Sequence, residues 1–407
     1  MISPELKAAV DRLAEEHRYE YEAAAHEIFL HPEPGMQEYH AVRYLTGLLK
    51  ERGFRVACPF GGLDTAFLAE YGEGGPRIAF LAEYDALPGY GPQKDQWGHA
   101  CGHNWIAANA FGACDVLRRM HDEGLIRGTI CYVGCPAEET VGGKVNLTEA
   151  GCFDDMDAAI QIHIARGHGA NLGNTALAMN SIEFIYAGVS SHAAAAPERG
   201  VNALDAAYLT FNGINALRQH VTPDVRMHGV IDQGGLAPNV VPALASARWY
   251  IRAADRNYLD ELEKKVIRCA EGACLMTGAK LEWRYFENRY DNYVRCPELT
   301  AAFAETLNLA GETKVLTEAQ PASGSTDIGN VSRVCPTGYC ELGVGNDDGY
   351  DVHEEEFLQY CDGPAAYAGL DKAVRSQAYL AAAICTDQGL QESLRAFKME
   401  LKRGNVK

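Results

Sequence analysis

The 407-residue chain predicts an α/β fold, a mainly parallel sheet interrupted by an inserted ferredoxin-like α+β unit. Three observations predict it. First, Ile78-Ala79-Phe80-Leu81-Ala82, Thr129-Ile130-Cys131-Tyr132-Val133 and Ala158-Ala159-Ile160-Gln161-Ile162 are near-continuous apolar runs. Runs of that length suit strands buried on both faces of a parallel sheet. Second, helical periodicity fills the intervals between them, as over residues 106–120. Third, the middle of the chain changes to alternating strands and amphipathic helices in the order β-α-β-β-α-β. A chain this long exceeds one ordinary core, so two bodies are expected: residues 1–178 with 294–407, and the insert 179–293.

Taken in order, residues 5–30 read as one helix, with Leu6, Val10 and Leu13 at helical spacing, ended by His31-Pro32-Glu33-Pro34-Gly35. A second helix, 39–51, stops at Arg52-Gly53. The three apolar strands follow. Each delivers a carboxylate or an imidazole at its C-terminal end: Glu83-Tyr84-Asp85, Pro136-Ala137-Glu138-Glu139 and His163. Open α/β sheets build their sites at that end of the strands. In the insert, residues 181–188 alternate as a strand, and Leu204, Ala207, Tyr208, Phe211, Ile214 and Leu217 mark an amphipathic helix. Strands over 227–233 and 244–251, a helix carrying Leu259, Leu262, Val266 and Ala270, and a strand over 281–286 complete it. The α/β pattern resumes near residue 294, with helices expected over 298–309 and 364–384.

Composition bounds the function. Hydrophobic residues make up 47% and charged residues 22%, an ordinary globular balance. No apolar run approaches the roughly 20 residues that span a bilayer. The charged start, Ile2-Ser3-Pro4-Glu5-Leu6-Lys7, lacks a signal core, so a cytoplasmic protein is expected. A net charge of −19 repels phosphate backbones and anionic lipid, which argues against nucleic acid and membrane as partners. The thirteen cysteines are expected to be mostly buried thiols. Cys131 with Cys135, or Cys335 with Cys340, would need a second knuckle to hold zinc, so core packing is the expectation for them.

The densest chemistry lies in Gly98-His99-Ala100-Cys101-Gly102-His103-Asn104. Cys101 and His103 are two apart, and in an extended loop such a pair points to one side. Thiolate with imidazole favours zinc, and carboxylates widen the choice to manganese or cobalt. Taken alone, the pair reads first as a buried thiol beside a surface histidine; a Cys–His nucleophilic pair is a further option, although neighbours this close in sequence rarely meet in the right geometry. Glu138-Glu139 is either a solvated acidic turn or a ligand beside a general base. His163 and His353 each have a bland alternative, a structural and a surface histidine. Asp85 is either a strand-end acid or the group that orients an imidazole.

Together these segments resemble the M20 family of metallopeptidases and amidohydrolases. The likeness is greatest to the amidohydrolase branch with p-aminobenzoyl-glutamate hydrolase, aminoacyl-amide hydrolases and β-alanyl-lysine dipeptidase-like proteins. It rests on Glu83-Tyr84-Asp85-Ala86-Leu87-Pro88, the Cys101 segment and Pro136-Ala137-Glu138-Glu139. Further on it rests on residues 191–197 and 200–204, His228-Gly229-Val230-Ile231, residues 237–242 and Gly324-Ser325-Thr326-Asp327. The resemblance implies a zinc-peptidase-like catalytic domain and an inserted lid that also forms a homodimer. It implies two divalent ions, zinc or manganese with cobalt as a further option, bridged by Cys101 and held by His103, Glu139, His163 and His353. Glu138 would be the general base. Asp85 would orient a ligand. His192 would polarise the scissile carbonyl in the neighbouring subunit, and Asn239 and Arg252 would bind substrate, Arg252 through a carboxylate. The reaction implied is hydrolysis of the amide bond of an N-acyl amino acid or related small amide. The alternatives are a dipeptidase acting on free, β-alanyl or basic dipeptides, and a non-catalytic metal- or ligand-binding protein on the same scaffold. One departure stands out: many relatives continue Cys-Gly-His-Asp-x-His, whereas Asn104 and Ile106 stand here.

Overall fold

The computed structural model describes residues 2–91, 93, 96–322 and 324–406. The chain divides into two units, one of residues 1–175, 293–321 and 330–407, the other of residues 176–292 and 322–329.

The larger unit is built on an eight-stranded sheet. Across it the strands run Arg55–Ala57, Phe67–Tyr71, Thr129–Gly134, Arg77–Ala82, Ala158–Ala165, Thr337–Gly343, Ala170–Asn171 and Val315–Leu316. The four central strands are mutually parallel and the edges supply the antiparallel pairs. The apolar runs lie at its centre, and every residue of Thr129–Gly134 is buried. Helix His103–Asp122 lies against the three strands that carry them, and helix Pro364–Thr386 packs on that helix. Their close approach needs Gly112, where an added Cβ would stand 2.6 Å from Val374 and 2.9 Å from Tyr21. Only a residue without a side chain lets the backbones come this near.

The smaller unit is a four-stranded antiparallel sheet, Arg226–Gln233, Leu244–Ala253, Ala178–Ala187 and Lys280–Tyr285 in spatial order. Helices Ala203–Leu217 and Arg256–Thr277 supply the remaining elements of the β-α-β-β-α-β order. Asn202 and Asp255 cap their N-termini through side-chain oxygens. Gly278, at φ +79°, ends the second. Ile182, Phe184, Trp249, Ile251, Leu259 and Val266 form the core. Strand Arg226–Gln233 is an edge, and Val230 on it is 61% exposed.

Three expectations need correction. The helix read over 5–30 is two helices, Pro4–Glu16 and Arg18–Leu30, separated at His17 (φ −121°). His163 does not end its strand, which runs on to Ala165. Cys101, Gly102 and His103 do not form an extended stretch: Gly102 is left-handed at φ +69°, and His103 is already the first residue of a helix. All thirteen cysteines are free thiols; Cys131, Cys135, Cys335 and Cys340 are buried. No helix among the described residues is long and apolar enough to cross a membrane.

Candidate metal centre

Three chain segments meet beyond the C-terminal ends of the central strands. Strand Arg77–Ala82 leads into Glu83, Tyr84 and Asp85, all buried. The Tyr84 hydroxyl donates to the Thr65 carbonyl at 2.5 Å and fixes this exit. Strand Thr129–Gly134 leads into the turn that presents Glu138 and Glu139. Ala137 there has φ +59°, a conformation that costs a side-chain-bearing residue energy unless neighbours hold it. They do: the buried Glu38 carboxylate accepts the Ala137 N–H at 2.8 Å, and the Gly142 N–H donates to the Ala137 carbonyl at 2.9 Å. The third segment is the left-handed turn at Gly102, where an added Cβ would lie 2.4 Å from Ile164.

Asp85 ties two segments together. One oxygen accepts from His103 Nδ1 at 2.8 Å and the other from the Glu139 backbone N–H at 3.0 Å. His163 Nδ1 donates to the Ile164 carbonyl at 2.6 Å. Both imidazoles therefore keep Nε2 for a ligand, the tautomer that metal-binding histidines adopt. His163 Nε2 lies 3.6 Å from Cys101 Sγ. His353 Nε2 lies 3.0 Å from a Glu139 oxygen. Three triplets of donor atoms, Cys101/His103/His163, Cys101/Glu139/His353 and His103/Glu138/Glu139, each fall within 4.8 Å. His353 reaches the cluster from a left-handed backbone at φ +67°. Its N–H donates to the Ala100 carbonyl at 3.0 Å, and the Tyr90 hydroxyl bonds its carbonyl.

The electrostatics suit cations. Burial, reinforced by Glu139 and Glu138, pushes the Cys101 thiol well above its usual range. Burial disfavours charge on His103, but the Asp85 carboxylate outweighs it and raises the imidazole to about 10. Burial would raise Glu139, but His353 and His103 hold it below the ordinary carboxylate value. Without a cation, the site thus holds protons on a thiol and an imidazole that would both be ligands. Divalent metal binding displaces such protons. The buried atoms without a hydrogen-bond partner among the described residues include His103 Nε2 and Glu83 Oε2. Bare, buried and polar, these two fit a coordinated ion.

The structure thus brings Cys101, His103, Glu138, Glu139, His163 and His353 together, with Asp85 behind them. His99 is a core residue instead. Its Nε2 lies 3.1 Å from the Ile28 carbonyl, and burial depresses its pKa to about 3. Sequence reasoning missed Glu38, Glu83, Lys144 and Gln161. Lys144 is fully buried and bonds Glu83 Oε1, as does Gln161 Nε2 at 2.7 Å. The signal for Glu83 was available, because it directly follows an apolar strand; Lys144 lies 61 residues further on.

The smaller unit carries the other three predicted residues. His192 is exposed, and its Nδ1 accepts the Ala194 and Ala195 N–H groups, each at 3.2 Å. The ring proton therefore sits on Nε2. Asn239, exposed, is joined to the same loop through its carbonyl, which accepts the Ala193 N–H at 3.0 Å. Arg252 is half-buried over the Tyr250 ring, and its Nη1 donates to Ser325 Oγ at 3.3 Å.

The sequence profile of peptidase family M20/M25/M40 matches residues 79–375. An Xaa-Arg dipeptidase of Mus musculus is 35% identical over 84% of this chain and 80% of its own length. One of the subunits of p-aminobenzoyl-glutamate hydrolase from Escherichia coli K12 is 33% identical over 75% of this chain and 66% of its own length. Among solved structures, a Bacillus subtilis dinuclear metal binding peptidase from the M20 family superposes with a TM-score of 0.63 at 21% identity, over 88% of this chain and 98% of that one.

Proposed function

The chain belongs to peptidase family M20/M25/M40, a family of metal-dependent hydrolases, and from that premise we propose that it cleaves the amide bond of an N-acyl amino acid or a related small amide. One observation carries the site assignment. The atoms of Cys101, His103, His163, Glu139 and His353 fall into two triplets that share Cys101 Sγ. These residues would hold two divalent ions, with Cys101 common to both sets of donors; zinc or manganese fits by donor type, with cobalt as a further option. Cations held there would polarise the scissile carbonyl and acidify a water.

The chain's own residues do the rest. Glu138, in the same cluster as His103 and Glu139, takes the proton of the attacking water and returns it to the leaving amine. Asp85 keeps the His103 ring and the Glu139 backbone in register. We assign His192 Nε2–H to the developing oxyanion, and Asn239 and Arg252 to the substrate, Arg252 to its carboxylate. The exposed edge strand Arg226–Gln233 supports pairing with a second copy, to whose site His192 would contribute. The thirteen free thiols support a cytoplasmic setting.

A second reading, a dipeptidase for substrates with a basic C-terminal residue, is favoured by the likeness to the Xaa-Arg dipeptidase. A hydrolysis screen with added Zn²⁺ or Mn²⁺ decides between them. It would compare N-acyl amino acids, aromatic acyl-glutamates and Xaa-Arg dipeptides. On the best substrate, Glu138→Ala should lose about 10²–10⁴-fold in rate while keeping its metal. Full activity in that variant would refute the assignment of the base.

A further inference from the structure

Glu83 is fully buried, yet its two oxygens live differently. Oε1 is held twice, by Lys144 Nζ and by Gln161 Nε2. Oε2 has no hydrogen-bond partner among the described residues and lies 3.5 Å from His103 Nε2, itself bare. A buried carboxylate normally fills both oxygens, since an unsatisfied one carries its whole desolvation penalty. Two buried atoms facing each other at 3.5 Å, a carboxylate oxygen and an imidazole nitrogen, with neither in hydrogen-bond geometry, are the arrangement left when a shared cation is taken away.

We infer that Glu83 is a further ligand of the metal centre, giving Oε2 to the ion that His103 binds, with Lys144 and Gln161 holding the carboxylate in place from behind. This rests on the metal-centre reading above. Lys144 explains its own burial in this arrangement. A buried ammonium is costly unless paired. Here its pair is a carboxylate whose remaining oxygen points into the cluster. Lys144 would thus act as a positioning residue, and Glu83 as a ligand beyond the five assigned above.

The test is metal uptake. Chelator-stripped protein would be titrated calorimetrically with Zn²⁺, and bound metal counted by elemental analysis. Wild type should take up two ions. Glu83→Gln should lose one, or bind it at least tenfold more weakly, with the other unchanged. Lys144→Met should keep the count and weaken that same ion. A crystal structure of the zinc-loaded wild type keeps the test open if either variant fails to fold: Glu83 Oε2 should lie about 2.0–2.2 Å from zinc. An Oε2 outside coordination distance of any ion, or a Glu83→Gln variant with wild-type stoichiometry and affinity, overturns the inference alone. A wild type that takes up no divalent ion overturns the metal-centre reading itself.

Discussion

The predicted functional residues are held in two contrasting ways. In the larger unit all but the exposed His353 are buried or half-buried, and two imidazoles are anchored at Nδ1 with Nε2 turned to the cluster. Asp85 grips His103 Nδ1 and leaves Nε2; the Ile164 carbonyl grips His163 Nδ1 and leaves Nε2. In the smaller unit, His192 and Asn239 sit on an exposed loop held by backbone amides. The difference teaches where a site can be read from within one unit. Bare buried atoms demand a partner, so the larger unit announces a cation. Exposed atoms can rest in water, so the smaller unit announces nothing by itself.

The strongest way to break this contrast is His192→Ala. If its Nε2–H serves an oxyanion, kcat should fall about 10²–10³-fold, the usual loss for one such donor. Metal uptake should not change, because no ligand of the larger unit is touched. A variant with normal kcat would show that the exposed loop is idle. A variant that loses metal would show that the two regions are not separable.

Asp85→Ala probes the other side and should act through the metal. Both its oxygens are in use, on the His103 ring and the Glu139 backbone. Removing such an orienting carboxylate typically costs 10–100-fold in metal affinity. Activity should return at high Zn²⁺ or Mn²⁺. Loss that no metal concentration repairs would mean that Asp85 acts elsewhere in the reaction.

The same contrast explains what the sequence disclosed. Continuous apolar runs marked the central strands, and Gly53, at φ +83°, marked the end of helix Tyr39–Glu51. Both are local signals. The break at His17 carries no glycine or proline; it lets Val10 and Leu13 of one helix and Tyr21 and Ala25 of the next all bury. Only tertiary packing asks for that. Of the metal centre, Cys101, His103, Glu139 and His163 stood next to glycines or apolar strands. His353 did not, because its left-handed backbone is imposed by the Ala100 carbonyl and the Tyr90 hydroxyl. Lys144 and Glu38 were silent for the same reason: each matters through a group about 60 or 100 residues away.

Glu38 offers the smallest and most selective test. It is buried, and that burial, with Asp85 nearby, raises it from an ordinary 4.5 to about 7. A carboxyl raised on folding binds more protons folded than unfolded across that window. Its contribution is therefore favourable below about pH 4.5 and is lost as pH rises through about 7, with an upper size of about 3 kcal/mol. Glu38→Gln keeps an acceptor for the Ala137 N–H but cannot ionise. In metal-free protein, the Tm of Glu38→Gln minus that of wild type should therefore grow by a few degrees between pH 5 and pH 8.5. Other titrating groups are common to both proteins and cancel in the difference. A gap that stays constant with pH would mean that Glu38 remains ionised in the folded chain. The Ala137 turn would then rest on a charged anchor, and the protein would carry that buried charge at every pH above the ordinary carboxylate range.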